Sequence, residues 1–542
     1  MTPDTRKSQD LIADWQALDR VFLRPEDEGS KKTLVKYMEQ ILFGLHDFLN
    51  KNVGVTEAIS LAELARDYTD VNISQVPEKK LADVIEDIIT DIAPRAVNVA
   101  SPYFIGHMTS AIPFFMVHLK AISAALNQNV IKLETSKVLS VLEKQVLAKI
   151  HRLIFKKDDI FYKTHVQNTQ TALGTFTTGG TTANITALWV ARNRLLAPTD
   201  TFAGVEADGM HAGFKAHGMD RMVVLVSRRG HYSLKKACGV LGLGNKNVIA
   251  VDVDANRALD LKKLSDLIQA IKKQGRTKIA AVVGIAGATE TGVIDPLFQI
   301  ADICETEGIH FHVDAAWGGP VLFSEKYAGL VNGIERADSV AIDCHKQFYM
   351  PMTAGMVYFK DPNALDAIAY HARYVNRKGS VDLGIKTLEG SRESSSLILD
   401  AAIKIMGARG YGLMIEHGIK TAKAFADKII QRPLFQLVSP PSLNILTYRA
   451  VPEAMAKALD TAAPDKARKL NLALDKINTT LQRTQREAGH SFVSRTRLRL
   501  AHDDPYNVVV LRSVIMNPMT TPDILDKILD EQEEILARLP LD

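Results

Sequence analysis

Three cysteines in 542 residues (Cys238, Cys304 and Cys344) are too few and too scattered for a disulfide framework or a paired-cysteine metal site. That scarcity points to a reducing compartment and sets structural zinc aside. No apolar run reaches the roughly 18–20 residues that a bilayer span needs. The opening stretch, MTPDTRKSQDLIADW, lacks the charged segment and continuous apolar run of a secretory leader, so a cytoplasmic location is expected. An excess of one charge is missing too. The 66 Lys and Arg nearly cancel the 62 Asp and Glu, and no basic block interleaved with aromatics occurs, which argues against nucleic acid or an acidic membrane as partner. What remains is a chain 46% hydrophobic and 24% charged, enough material for a large core and more than one domain around a small-molecule site.

From about Lys31 to Ile92 apolar residues recur at helical spacing (Leu34, Met38, Ile41, Leu42, Leu45, Phe48), which predicts an N-terminal helical segment. A second helical run follows Pro113 and continues to Ile154. The Pro-bounded stretch between them, SPYFIGHMTSAIP, fits neither period and reads as a loop. Beyond Thr175, short β-branched runs at 223–227, 247–253, 278–287, 309–316 and 339–344 alternate with helix-like stretches. This is the pattern of an α/β fold with a largely parallel sheet and helices on both faces. Such a sheet places its ligand at the carboxyl ends of the strands. After Arg373 a Gly- and charge-rich passage leads into a long helix candidate, a mixed pattern and a polar helix-forming stretch over 452–489. Three units are expected: a helical segment over 1–100, a large domain over 101–375 and a smaller C-terminal α/β domain over 376–542.

Four motifs bear on chemistry. DCHKQFYMP (343–351) sets Lys346 directly after a strand-like run, where an amine can condense with a carbonyl cofactor; taken alone, a lysine is more often a solvated surface charge. HVDAAWGG (312–319) puts Asp314 at the end of an apolar strand, where a carboxylate needs a charged or hydrogen-bonded partner. A pyridinium N–H is such a partner, and capping of the next helix is the alternative. TTGGTTANITALWVARNR (177–194) is a small-residue turn that opens a helix and offers backbone N–H groups and the positive dipole end to an anion. Gly180 permits close approach there, and Thr181 adds a hydroxyl. SRRGHYSLKKACGVLGLG (227–244) places His231 after another strand, where an imidazole either stacks on a cofactor ring or fills the core.

In order and spacing, TTGGTTANITAL, HYSLKKA, VVGIAGATETGVIDP, HVDAAWGG and DCHKQFYMP resemble the group II pyridoxal-phosphate decarboxylases, and the likeness covers about residues 95–535. The resemblance implies the type I, aspartate-aminotransferase-like fold, pyridoxal 5'-phosphate as cofactor, no metal, and a homodimer with active sites at the subunit interface. It implies that Lys346 links to the cofactor, Asp314 meets the pyridine nitrogen, His231 lies over the ring and Ala316 packs on the opposite face. Gly180 and Thr181 would contact the phosphate, Thr289 would lie beside the cofactor, and His345 precedes the lysine as in relatives. Family members carry a proton-donating Tyr on a loop shortly before the GSR-like region. Here the nearest upstream is Tyr374, further away than that pattern has it, and helix packing is an equal alternative.

The loop SPYFIGHMTSAIP resembles the family segment that contacts the substrate's distal carboxylate, with His107 where glutamate decarboxylases carry Gln and Thr109 where they carry Ser. Polar residues there suit a small acidic amino acid. VVVLRSVIMNPMTTPDIL resembles the family strand whose arginine holds the α-carboxylate, which makes Arg512 the candidate over Arg392 of EGSRESSS. At whole-chain level the likeness is to the pyridoxal-dependent aspartate 1-decarboxylases of Gram-negative bacteria, which make β-alanine for pantothenate. Glutamate and cysteine sulfinate stay open as substrates, because one methylene is worth only about 1–3 kcal/mol of discrimination. An aminotransferase would use the same lysine and aspartate but release a keto acid. A catalytically silent binding subunit would take up no cofactor.

Overall fold

The computed structural model describes residues 28–51, 55, 56, 58–371, 382–501 and 504–539. Tyr374 lies outside the described residues. Among those described, no helix is long and apolar enough to cross a membrane.

The β-branched runs become strands β2 (Arg221–Ser227), β3 (Val248–Val251), β4 (Thr277–Ile285), β5 (Phe311–Asp314) and β6 (Ser339–Asp343). Two strands escaped the periodicity, β1 (Gly174–Thr177) and β7 (Gly355–Phe359). GTFT and GMVYF are too short and glycine-led to stand out from sequence. The seven form one sheet in the order β1-β7-β6-β5-β4-β2-β3. Neighbours from β6 to β3 are parallel, and β7 runs antiparallel to both β6 and β1.

Helices α1 (Glu28–Lys51), α2 (Phe115–Leu126), α3 (Val138–Phe155), α4 (Gly180–Leu195), α5 (Tyr232–Val240), α6 (Leu261–Lys273) and α7 (Leu297–Glu307) precede or weave between the strands. Both sheet faces are apolar and both are covered, as the near-continuous hydrophobic strands require. Val223, Leu225, Val340 and Ile342 pack with Val146 and Ile150 of α3, Ile268 of α6 and Ile300 of α7. Met222, Val224 and Val226 point the other way, onto Leu188 of α4 and Leu234 of α5. The expected helical run over 31–92 is broken: α1 is followed by short turns of helix at Leu61–Leu64 and Leu81–Asp87. The run after Pro113 is likewise interrupted, at Asn127, whose left-handed backbone (φ 45°) ends α2.

Helix α8 (Ser395–Gln431) bends where Gly407 leaves the helical region (φ 66°). It leads to β8 (Phe435–Ser439), β9 (Ile445–Ala450), α9 (Pro464–Ala488), β10 (Ser494–Leu498), β11 (Val508–Val514) and α10 (Pro522–Arg538). The four strands form an antiparallel sheet ordered β10-β11-β9-β8. Phe425 of α8, Leu481 of α9 and Leu525 and Leu529 of α10 bury its apolar face. The 101–113 stretch is a loop, as expected, and it is stitched to this sheet. Ile105 N–H donates to the Phe492 carbonyl (3.0 Å), and Phe104 stacks on Phe492 at 5.1 Å.

Candidate active site

Strands β2, β4, β5 and β6 all end on the same side of the sheet, at Ser227, Ile285, Asp314 and Asp343. β1 shares their direction and ends at Thr177, which pairs with Gly355, the same residue that pairs with Asp343. The turn after β1 therefore meets the segment that carries Lys346. A Cβ on Gly180 would lie 2.8 Å from Asp343 Oδ2, and one on Gly355 would lie 2.7 Å from the Gly179 Cα, so only glycine allows this approach. Helix α4 opens here without a side-chain cap, which leaves its first N–H groups, those at Gly180 and Thr181 among them, free for an anion.

Lys346 Nζ lies 2.7 Å from Asp343 Oδ2, and His345 Nε2 lies 3.9 Å from the same oxygen. His345 Nδ1 lies 2.7 Å from the Ala354 carbonyl and 3.2 Å from the Ala354 N–H, so both polar groups of that residue hold the ring in place. Asp314 is only 6% exposed. Its Oδ2 accepts from Asn184 Nδ2 (2.9 Å) and its Oδ1 from the Ala316 N–H (3.2 Å). Among the described residues no cation pairs with it, so this carboxylate is complementary to a protonated ring nitrogen. His231 caps α5 with its own ring: the Ser233 N–H donates to Nδ1. Burial lowers the pKa of His231, and Asp314 nearby offsets part of that effect.

Arg512 is 7% exposed in the middle strand pair of the small sheet. Its Nε donates to the Thr289 carbonyl (2.6 Å), and its Nη1 reaches the Gly106 carbonyl (3.3 Å) and Ser494 Oγ (3.2 Å). Nη2 is buried with no hydrogen-bond partner. Burial lowers its pKa to about 10, opposed by Glu290, so the guanidinium stays charged at neutral pH and has a donor left over for an anion. One arginine thus ties together the 286–294 loop with Thr289, the 101–113 loop and the C-terminal sheet. His107 Nδ1 lies 3.1 Å from Thr109 Oγ1. Its ring is open to solvent on one side, yet partial burial, then Arg512, Lys346 and His345, hold its pKa below the usual value. Arg392 stands apart, in a bidentate buried pair with Glu143 (2.7 and 2.6 Å), a packing role.

All the candidate residues within the described chain therefore gather at one end of the sheet, except Arg392. Four further residues of the site escaped the sequence reading: Asn184, Ser233, Asp343 and Glu290. A signal existed for Asn184, a polar side chain on the otherwise small and apolar face of the helix that follows the anion turn. Glu290 is pushed up by burial and sits in the field of Arg229 and Arg512. Nothing in its local sequence marks it.

The family model of the pyridoxal-dependent decarboxylase conserved domain matches residues 63–451. Aspartate 1-decarboxylase of Aliivibrio fischeri is 44% identical over 525 residues, 97% of this chain and 95% of that protein. An L-aspartate decarboxylase of Metarhizium robertsii is 31% identical over 385 residues, 69% of this chain and 72% of that one. Among solved structures, mouse CSAD superposes with a TM-score of 0.79 at 23% identity, covering 93% of this chain and 99% of that chain, a likeness of fold. The fold, the strand-end cluster and the match across 63–451 lead to one conclusion: the chain belongs to the pyridoxal-dependent decarboxylases, enzymes that remove a carboxyl group from an amino acid with pyridoxal 5'-phosphate as cofactor.

Proposed function

We propose that this enzyme converts L-aspartate to β-alanine and carbon dioxide. The observation that carries the substrate choice is the 44% identity with the Aliivibrio fischeri aspartate 1-decarboxylase along nearly the whole of both chains. Supply of β-alanine for pantothenate, in the cytoplasm, is the role that fits this product.

Lys346 would hold the cofactor covalently, Gly180 and Thr181 would take its phosphate, and Thr289 and His345 would flank it. Asp314 would accept a hydrogen bond from the cofactor's ring nitrogen, and His231 and Ala316 would help to hold the ring. When bound, the cofactor supplies a ring that accepts the electron pair of the broken bond. The protein's part is orientation. Arg512, with its unpartnered Nη2, would grip the α-carboxylate and so orient the scissile bond. His107 and Thr109 face the distal carboxylate. Tyr374 is the proposed donor of the proton that replaces carbon dioxide. A homodimer fits the exposed apolar side chains on and beside α2 and α3, among them Phe114 (79% exposed) and Val138 (70%).

Steady-state decarboxylation of aspartate, glutamate and cysteine sulfinate tests the substrate. Aspartate should lead glutamate in kcat/KM by roughly 10-fold or more, the scale set by a single methylene. A preference for glutamate would reassign the substrate and leave the decarboxylase intact.

A further inference from the structure

We propose that Asn184, acting with Ser233, is a positioning residue that fixes two groups of the site at once: the hydrogen-bonding orientation of Asp314 and the tautomer of His231 that bears its proton on Nε2. The inference rests on the roles proposed above for Asp314 and His231.

Asn184 is 1% exposed in the first turns of α4, and every polar site on its amide is used. Nδ2 lies 2.9 Å from Asp314 Oδ2 and 3.0 Å from Ser233 Oγ, while Oδ1 lies 2.9 Å from His312 Nε2. An ionised carboxylate only accepts, so the amide nitrogen must face Asp314. The amide oxygen then faces His312, whose Nε2 donates to it. With that proton on Nε2, His312 Nδ1 is left to accept from Ser339 Oγ (2.9 Å), the nearer of its two contacts; the Ser339 carbonyl lies at 3.2 Å. Burial lowers the His312 pKa to about 4, which keeps that ring neutral and limits it to this single N–H.

The second Nδ2 hydrogen goes to Ser233 Oγ, whose own hydrogen is directed to His231 Nδ1 at 2.9 Å. The Ser233 backbone N–H reaches the same nitrogen at 3.3 Å. A backbone N–H can only donate, so His231 Nδ1 must present a lone pair and the ring proton sits on Nε2. Two donors thus hold that lone pair: the Ser233 N–H, and the closer Ser233 hydroxyl, whose direction is set by the charge on Asp314 and passed through the Asn184 amide. A neutral His231 adds no second cation beside Lys346, and its Nε2–H remains a donor for an anionic group.

The test is 15N NMR of the full chain labelled at histidine, with and without cofactor, the His231 signals being assigned through His231→Gln. Wild type should show the Nε2–H pattern. In Asn184→Leu, which keeps volume but removes the amide, the pattern should shift toward a tautomer mixture. kcat should fall about 10–100-fold, the usual loss when an outer hydrogen-bond partner is removed, with little change in KM. Ser233→Ala should perturb the His231 signals while sparing cofactor affinity, and Ser233→Thr should restore them. This pair decides the matter if Asn184→Leu does not fold. Wild-type His231 signals in Ser233→Ala and in any folded Asn184→Leu protein would overturn the inference. Failure of the underlying reading shows up separately, as near-normal kcat in Asp314→Asn or in His231→Gln.

Discussion

Lys346 Nζ sits 2.7 Å from Asp343 Oδ2, three residues back along the chain, while the other oxygen of that carboxylate is buried without a partner. The amine proposed to take the cofactor thus also balances a buried negative charge beside the glycine turn. Lys346→Ala should abolish turnover and remove the borohydride-reducible cofactor linkage. It should also destabilise the protein by about 3 kcal/mol, because a buried carboxylate loses its partner. Adding Asp343→Asn should recover most of that stability and none of the activity. Denaturant titration and reduction with labelled borohydride measure the two effects.

Asp314→Asn is nearly isosteric and keeps one oxygen for the Asn184 or Ala316 N–H, so folding should survive. Activity should drop roughly 100-fold or more, the scale of losing a preorganised electrostatic partner. Near-normal kcat in this variant would reassign Asp314 to capping the segment that follows β5.

Arg512→Ala should lower kcat/KM roughly 100-fold for any amino acid offered, since misorientation of the reacting bond alone costs that much. His107→Ala should act selectively, raising KM for acidic substrates. Because burial and neighbouring cations hold the His107 pKa below the usual value, the ring is neutral at neutral pH and gains a charge only as pH falls. KM for aspartate should therefore fall as pH drops below about 6.5 in wild type, and this dependence should weaken in His107→Ala. Parallel pH profiles in the two proteins would show the loop to be structural.

Asp295, in the GVIDP motif, accepts the Leu259 N–H (2.8 Å) and the Ile285 N–H (2.9 Å) and so fixes the end of β4 and the loop that carries Thr289. Complete burial raises its pKa to about 7. An unfolded aspartate titrates near 3.9, so from about pH 4 to about pH 7 the folded chain retains a proton that the unfolded chain has released. This group's contribution to stability is therefore largest at the acid end, declines as pH rises through that window and is constant above it. Asp295→Asn should flatten that part of the thermal midpoint against pH, which calorimetry of the two proteins would reveal.

The site was legible where chemistry leaves a local mark. Lys346 follows β6, Asp314 ends β5 and His231 follows β2 because charged or imidazole side chains just after apolar strands stand out, and the glycines of 179–180 announce a close approach. Strands β1 and β7 were not legible, being four and five residues long with glycine at their starts. Nor was the meeting of the 101–113 loop with Arg512 at the Gly106 carbonyl, which depends on pairing of Ile105 with Phe492 across nearly 400 positions of sequence. Asn184 and Asp343 were passed over for a related reason. Their significance lies in partners supplied by other strands and helices, which no window of sequence contains.

The central claim is removal of the α-carboxyl of L-aspartate at Lys346. It is tested most directly by giving the purified holoenzyme L-aspartate labelled with 13C at the α-carboxyl carbon. The account predicts that the label leaves entirely as carbon dioxide, in equal amount with unlabelled β-alanine, and that Lys346→Ala releases neither. Label retained in alanine, or appearing in a keto acid, would contradict it.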